Sequence, residues 1–212
     1  MARKLVVFDL DGVLIDSRDA HYACLNDALE KIDKKYVISY DEHLKEYDGK
    51  STLTKLKMLS QYKGLDPIHY DTIWDMKQLL TIQYINENVK LDEELIDIMK
   101  YIKSDGTEIA CASNAISDTV KMSLLRLGIM EHVDYFLSNE NVKNPKPHPE
   151  IYFQCMIRSN KSPKEVTIVE DSEVGLMAAR RSGAHVIHVK SRQCVRKQLF
   201  LKPYLNATTL IF

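Results

Sequence analysis

The sequence predicts an α/β fold: a parallel sheet covered by helices on both faces, with a block of helices inserted after the first strand. Three observations predict it. Short apolar runs rich in β-branched residues alternate with stretches of helical periodicity. The alternation breaks once, between about Asp19 and Asn88, where helical stretches follow one another with no strand between them. The first apolar run also ends abruptly in two aspartates and a glycine, which puts polar chemistry at a strand end.

Leu5 to Phe8 is β-branched and aromatic, and reads as a fully buried strand. Helical stretches are expected around 20–32, 41–47, 51–62 and 70–87, punctuated by Gly49 and by the Gly64 to Pro67 stretch. Leu91 to Ile102 carries apolar residues at 91, 95, 98, 99 and 102, a one-sided helical stripe. After the Ser104-Asp105-Gly106 turn, Glu108 to Ala112 reads as a second strand, and Thr119 to Leu127 as a helix stopped by Gly128. Val133 to Leu137 is a short strand, and Val166 to Val169 another. Val174 to Arg181 is a helix ending before Gly183, and His185 to Val189 a further strand. Thr208 to Phe212 is expected to form a last short strand, whereas the tail between it and Val189 has no assignable pattern. The expected division is a core of residues 1–17 and 89–212, with a helical cap at 18–88 over the carboxyl edge of the sheet.

The 212 residues carry 29 basic and 30 acidic side chains, a formal net charge of -1. That balance gives no reason to expect nucleic-acid or membrane partners. Cys24, Cys111, Cys155 and Cys194 form no C-x-x-C pair and no zinc-spaced cluster, so free thiols in a reducing cytoplasm are expected. Cys111 reads as a small buried hydrophobe. The apolar stretch near the start ends after four residues, too short for a signal sequence, and no apolar run approaches a membrane span.

The segment Val7-Phe8-Asp9-Leu10-Asp11-Gly12 carries the chemistry. Strand alternation places Asp9 and Asp11 on one side, and Gly12 lets the chain turn. Two acids at one spot repel unless a cation or a shared proton relieves them, and magnesium with oxygen ligands is a natural partner. The competing readings are an acidic turn that merely ends a strand and a calcium loop. Calcium fits poorly, because Val13 and Ala20 stand where oxygen ligands are required.

Three further segments follow in order: Cys111-Ala112-Ser113-Asn114, Lys146-Pro147-His148-Pro149-Glu150, and Glu170-Asp171-Ser172 with Gly175, Ala178 and Ala179. With the first, they resemble the four motifs of the haloacid dehalogenase superfamily, from residue 5 to about 189. The resemblance implies a Rossmann-like core and a phosphatase. Asp9 would be the nucleophile, Asp11 the general acid and base, and Ser113, Asn114 and Lys146 the phosphate-binding groups. Mg2+ would be held by the Asp9 carboxylate, the Asp11 carbonyl and Asp171, with Glu170 supporting them. Asp11 separates this branch from the dehalogenases, whose halide leaving group needs no proton and which lack the second acid. Each residue has a plainer role: Ser113 as a helix cap, Lys146 as a solvated lysine like Lys143, and Glu170-Asp171 as an acidic helix start.

Gly49, Lys50 and Ser51 resemble the cap loop of the β-phosphoglucomutase-like subgroup, where they would meet substrate. The plainer alternative is a helix break with Ser51 as cap. His21 reads as an exposed helix residue or as one facing the cleft. Tyr47, Tyr62, Tyr70, Tyr84 and Trp74 are expected to pack between cap helices. The expected partner is a small phosphate ester. The alternatives are a phosphosugar mutase and a non-catalytic binding module that keeps the fold.

Overall fold

The structure is a computed structural model that describes residues 4–48, 50–201 and the backbone of 210–211. The chain divides into two compact units, one formed by residues 1–16 and 89–212, the other by residues 17–88.

The first unit is built on a parallel sheet. Strands β1 (Leu5–Phe8), β2 (Glu108–Ala112), β3 (Tyr135–Leu137), β4 (Val166–Glu170), β5 (His185–His188) and β6 (Leu210–Ile211) lie in the order β3-β2-β1-β4-β5-β6. β1 pairs with β2 on one side and with β4 on the other, all in parallel. The chain therefore builds outward one way from β1 and then crosses over to build the other way. Ligands of open α/β sheets bind beside such a reversal, at the carboxyl ends of the strands.

Alternation decides what each strand buries. Leu5 and Val7, Ala110 and Ala112, Val166 and Ile168 face one core, filled by Ile151, Tyr152, Cys155 and Met156 from α7 (Glu150–Ser159) and by Leu176, Ala178 and Ala179 from α8 (Glu173–Arg181). α5 (Glu93–Lys103) packs against β2, and the Phe200 ring lies 5.6 Å from that of Phe8, so both faces are covered. Phe200 belongs to the tail that had no readable pattern. Arg192 pins that tail by donating from Nε and Nη2 to Asp92 Oδ2, at 3.0 and 2.7 Å. α6 (Ser117–Arg126) completes the unit and is followed by Gly128 at φ +75°, the left-handed stop its sequence announced.

Most strands fall where the apolar runs put them, with Leu5–Phe8 and Glu108–Ala112 matching residue for residue. The third is shorter than expected, Tyr135–Leu137. Of the last run, Leu210–Ile211 forms a strand and the rest lies outside the described residues. Helix α7 carries no counterpart among the expected elements.

The second unit is helical: α1 (Arg18–Ile32), α2 (Tyr40–Glu42) widening into a turn at His43–Tyr47, α3 (Thr52–Lys63) and α4 (Tyr70–Asn88). Leu25, Leu29, Ile38, Leu56, Leu59 and Ile73 form its core, with Tyr47 buried among them and Tyr70 packed at the margin. Tyr62 is 63% exposed and Trp74 37%, so the expected packing between helices fails for these two, whereas Tyr47 and Tyr70 keep it. Among the described residues, no helix is long and apolar enough to cross a membrane.

Candidate active site

The carboxyl ends of β1, β2 and β4 meet at the reversal of the sheet, and each ends in a polar residue. Asp9 follows β1, Ser113 follows β2, and Glu170 closes β4 with Asp171 next. Asp9 N–H donates to Val169 O at 3.0 Å, which extends the ladder one step and fixes the Asp9 backbone. Gly12, at φ +82°, then turns the chain back. A side chain there would put its Cβ 2.0 Å from Asp171 Oδ2, so the turn and the acid share one small volume.

Lys146 is the hub. Its ammonium donates to Asp9 Oδ1 at 2.6 Å, Glu170 Oε1 at 2.6 Å and Ala112 O at 2.8 Å, so all three N–H bonds are directed. The side chain is buried, unlike that of Lys143, which is exposed. Glu150 organises the loop before it, accepting from Lys143 N–H at 2.9 Å and Asn144 N–H at 3.1 Å. Asn114 locks the same loop from the other side. Its Oδ1 accepts from Lys146 N–H at 3.0 Å and its Nδ2 donates to Lys146 O at 3.1 Å. Thus Asn114, expected to meet phosphate, spends its amide on the backbone of the lysine. Ser113 is buried, and its hydroxyl accepts from Ala115 N–H at 2.9 Å, a local turn two residues before α6 begins.

Glu170 is enclosed on both oxygens. Oε1 takes Lys146 and the Tyr152 hydroxyl, the latter at 2.6 Å, while Oε2 accepts from Asp171 N–H at 3.1 Å and from Ser172 N–H at 3.4 Å. Ser172, not the acidic pair, caps α8, its hydroxyl accepting from Gly175 N–H at 3.1 Å. Gly175 matters sterically: a Cβ there would meet Glu170 Oε1 at 1.9 Å. Tyr152 was not legible as a functional residue, because α7 was not foreseen. The signal available was the apolar spacing 151, 152, 155, 156 directly after Pro149-Glu150.

A model of the haloacid dehalogenase-like hydrolases matches residues 6–189. The chain belongs to that family. It is an enzyme of the phosphatase or phosphomutase kind that the family comprises. A phosphorylated carbohydrates phosphatase of Thermotoga maritima is 26% identical over 185 residues, covering 87% of this chain and 84% of that protein. A beta-phosphoglucomutase of Bacillus subtilis is 23% identical over 198 residues, covering 90% and 84%. The crystal structure of CbbY from Rhodobacter sphaeroides in complex with phosphate superposes with a TM-score of 0.82 at 19% identity, covering 99% and 93%, a likeness of fold.

The electrostatics of this haloacid dehalogenase-like hydrolase follow from three acids in one buried corner. Burial pushes Asp9 well above the usual carboxylate range, and Glu170, Asp11 and Asp171 push it further, with Lys146 opposing. Asp171 is pushed up to about 7 by burial, then by Glu170 and Asp11. Burial would lower the lysine, but Asp9 and Glu170 outweigh it and hold the ammonium charged. Asp11, half-buried, acts electrostatically on both Asp9 and Asp171, so the acid pair of the first strand and the acid of the fourth share one site.

A divalent cation fits these residues. Ligand oxygens of Asp9, Glu170 and Asp171 lie within 4.8 Å of one another, and Asp171 Oδ1 is buried with no hydrogen-bond partner. An all-oxygen anionic set suits magnesium, and a cation there would relieve the repulsion that raises Asp9 and Asp171.

In the helical unit, Lys50 is exposed, and Gly49 lies outside the described residues. Ser51 caps α3, its hydroxyl accepting from Thr54 N–H at 3.2 Å. His21 is half-buried.

Proposed function

We propose that this chain is a magnesium-dependent phosphatase that hydrolyses a small phosphate monoester, a sugar phosphate, nucleotide or related metabolite, through a phosphoryl group carried on Asp9. The observation that carries this reading is the buried Lys146 ammonium, 2.6 Å from both Asp9 and Glu170 at the end of β1 and β4. It presents a fixed positive charge beside the carboxylate that would attack, which is the main requirement of phosphoryl transfer.

In the first step a carboxylate oxygen of Asp9 bonds to phosphorus and the ester P–O bond breaks. Asp11 gives its proton to the leaving oxygen. In the second, Asp11 takes a proton from water as that water attacks phosphorus, the bond to Asp9 breaks, and inorganic phosphate leaves. Lys146 and Ser113 would hold the phosphoryl oxygens, and Asn114 would keep Lys146 in place through its backbone. Magnesium, when bound by Asp9, the Asp11 carbonyl and Asp171, supplies charge that draws the phosphate in and stabilises its transfer. The helical unit, including Lys50 and Ser51, would act as a cap that selects the substrate. The free thiols of Cys24, Cys111, Cys155 and Cys194 support a reducing, cytoplasmic setting.

Replacing Asp9 with Asn is expected to lower phosphate release from p-nitrophenyl phosphate by at least about a thousandfold. Unchanged release would place the nucleophile elsewhere, and turnover indifferent to a chelator would remove the metal. A phosphosugar mutase is the second reading, favoured by the likeness to the Bacillus subtilis beta-phosphoglucomutase. A time course with glucose 1-phosphate separates the two: isomer without free phosphate would displace hydrolysis.

A further inference from the structure

Three carboxylates lie close enough to share one cation, yet only two of them are needed beside the Asp11 carbonyl. What keeps the third, Glu170, out is visible in its partners. Oε2 is held by the backbone at the start of α8, and Oε1 by two donors, Lys146 Nζ and Tyr152 Oη, each at 2.6 Å. Tyr152 lies entirely within the core, 0% exposed, with its ring 4.9 Å from the same ammonium. Packing at that position asks only for the ring, and a hydroxyl taken out of water there must find a partner. It finds one carboxylate oxygen. A bond to a charged acceptor is among the stronger kinds, and this one runs from a helix that cannot shift without disturbing the sheet core.

We propose that the Tyr152 hydroxyl is a latch that keeps Glu170 on the lysine, so that the cation is left with Asp9 and Asp171 and the site prefers magnesium to calcium. Tyr152 is a positioning residue, acting through Glu170. The selectivity follows from ligand number. Magnesium takes a tight six-coordinate shell and keeps several waters, whereas calcium takes six to eight oxygens and accepts carboxylates in either mode. Releasing Glu170 adds an anionic oxygen donor within reach of the ion, a change that calcium can use and magnesium cannot. The proposal rests on the metal reading above but concerns which acids take part.

The experiment is calorimetric titration of the full-length protein with MgCl2 and, separately, CaCl2, which needs no substrate and no turnover. For Tyr152→Phe, which keeps the ring, calcium affinity is expected to rise about tenfold with magnesium affinity within about twofold of the parent. The Y152F/E170Q double variant should lose that gain, because Glu170 is the added donor. In the parent, Glu170→Gln alone should weaken both ions in similar proportion. An unchanged calcium-to-magnesium ratio in Y152F overturns the latch, as does a selective loss of calcium in E170Q, which would make Glu170 a ligand already. If Y152F does not fold, the E170Q ratio decides. A parent protein that binds neither ion would overturn the metal reading itself, and the latch with it.

Discussion

Two asparagines, one buried in the helical unit and one half-buried in the sheet unit, make the same pair of bonds to different ends. In the helical unit Asn26 Oδ1 accepts from Ile38 N–H at 2.9 Å and its Nδ2 donates to Ile38 O at 2.8 Å, tying α1 to the segment before α2. In the sheet unit Asn114 does the same to Lys146, at 3.0 and 3.1 Å. One clamp holds an apolar residue in a core, and the other holds a cation among acids. The polar interiors differ accordingly. Around Lys146 every ammonium hydrogen has a directed acceptor, whereas His43, 0% exposed in the helical unit, has neither ring nitrogen hydrogen-bonded. The clamp of the sheet unit fixes a charge, that of the helical unit a shape.

The contrast is sharpest between two lysines. Lys146→Met strands Asp9 and Glu170 without their counter-charge, and should cost about 3–5 kcal/mol in urea unfolding without added cation. Lys63→Met, which removes a bond to Val37 O and a half-exposed pair with Glu42, should cost no more than about 1 kcal/mol. Equal losses would erase the distinction. The clamps come next. Asn26→Ala and Asn114→Ala should each lower stability by about 2 kcal/mol, since each leaves a peptide group unpaired. Only Asn114→Ala should also reduce kcat, about tenfold or more, because it alone loosens the lysine. A matching drop in Asn26→Ala would show that the clamp at Lys146 has no special catalytic effect.

Two glycines give a smaller test. Gly175→Ala drives a methyl into Glu170 and should cost about 1–3 kcal/mol. Gly64→Ala has open space and should lose only about 1 kcal/mol, from the left-handed backbone at φ +67°. The smallest effect concerns pH. Burial lowers His43, helped by Lys55, His21 and Arg18 and opposed by Asp48, with the Tyr22 and Tyr40 rings on its other sides. The unfolded imidazole takes its proton near pH 6.5 while the folded one does not. The stability is therefore full above that value and falls as pH drops toward the folded pKa. Thermal melts at pH 7.5 and 5.5 should show the decline, and His43→Leu should shrink it.

How legible all this was depends on the range of the interaction. The strand at Leu5–Phe8 and its neighbour Glu108–Ala112 could be read to the residue, because a buried parallel strand writes itself as an apolar run. The acids, Ser113 and Lys146 could be read because each sits at a strand end or in a proline-marked loop. Asn114 could be picked out, but its clamp on Lys146 could not, since that partner is a backbone 32 residues away and no local pattern encodes it. Tyr152 was hidden for a related reason: its ring reads as core, and only the fold brings Glu170 to its hydroxyl. In the helical unit, the exposure of Tyr62 and Trp74 could not be read, because each has the helical spacing of buried neighbours, Leu59 and Lys77, and spacing does not say how far along a helix the packing extends. His43 lies in a polar stretch and is buried by the widened turn at His43–Tyr47, which has no recognisable spacing.

Gly12 and Asp171 are 159 positions apart in the chain but compete for the same few cubic ångströms. Neither can drift alone. A lineage that gave position 12 a side chain would first have to shorten or move the acid at 171, and a lineage that lengthened 171 would meet the loop at 12. The two should therefore be inherited as a single character, and a library that randomises both at once should recover functional pairs more often than the product of the separate tolerances, because it admits compensating pairs that neither single library contains.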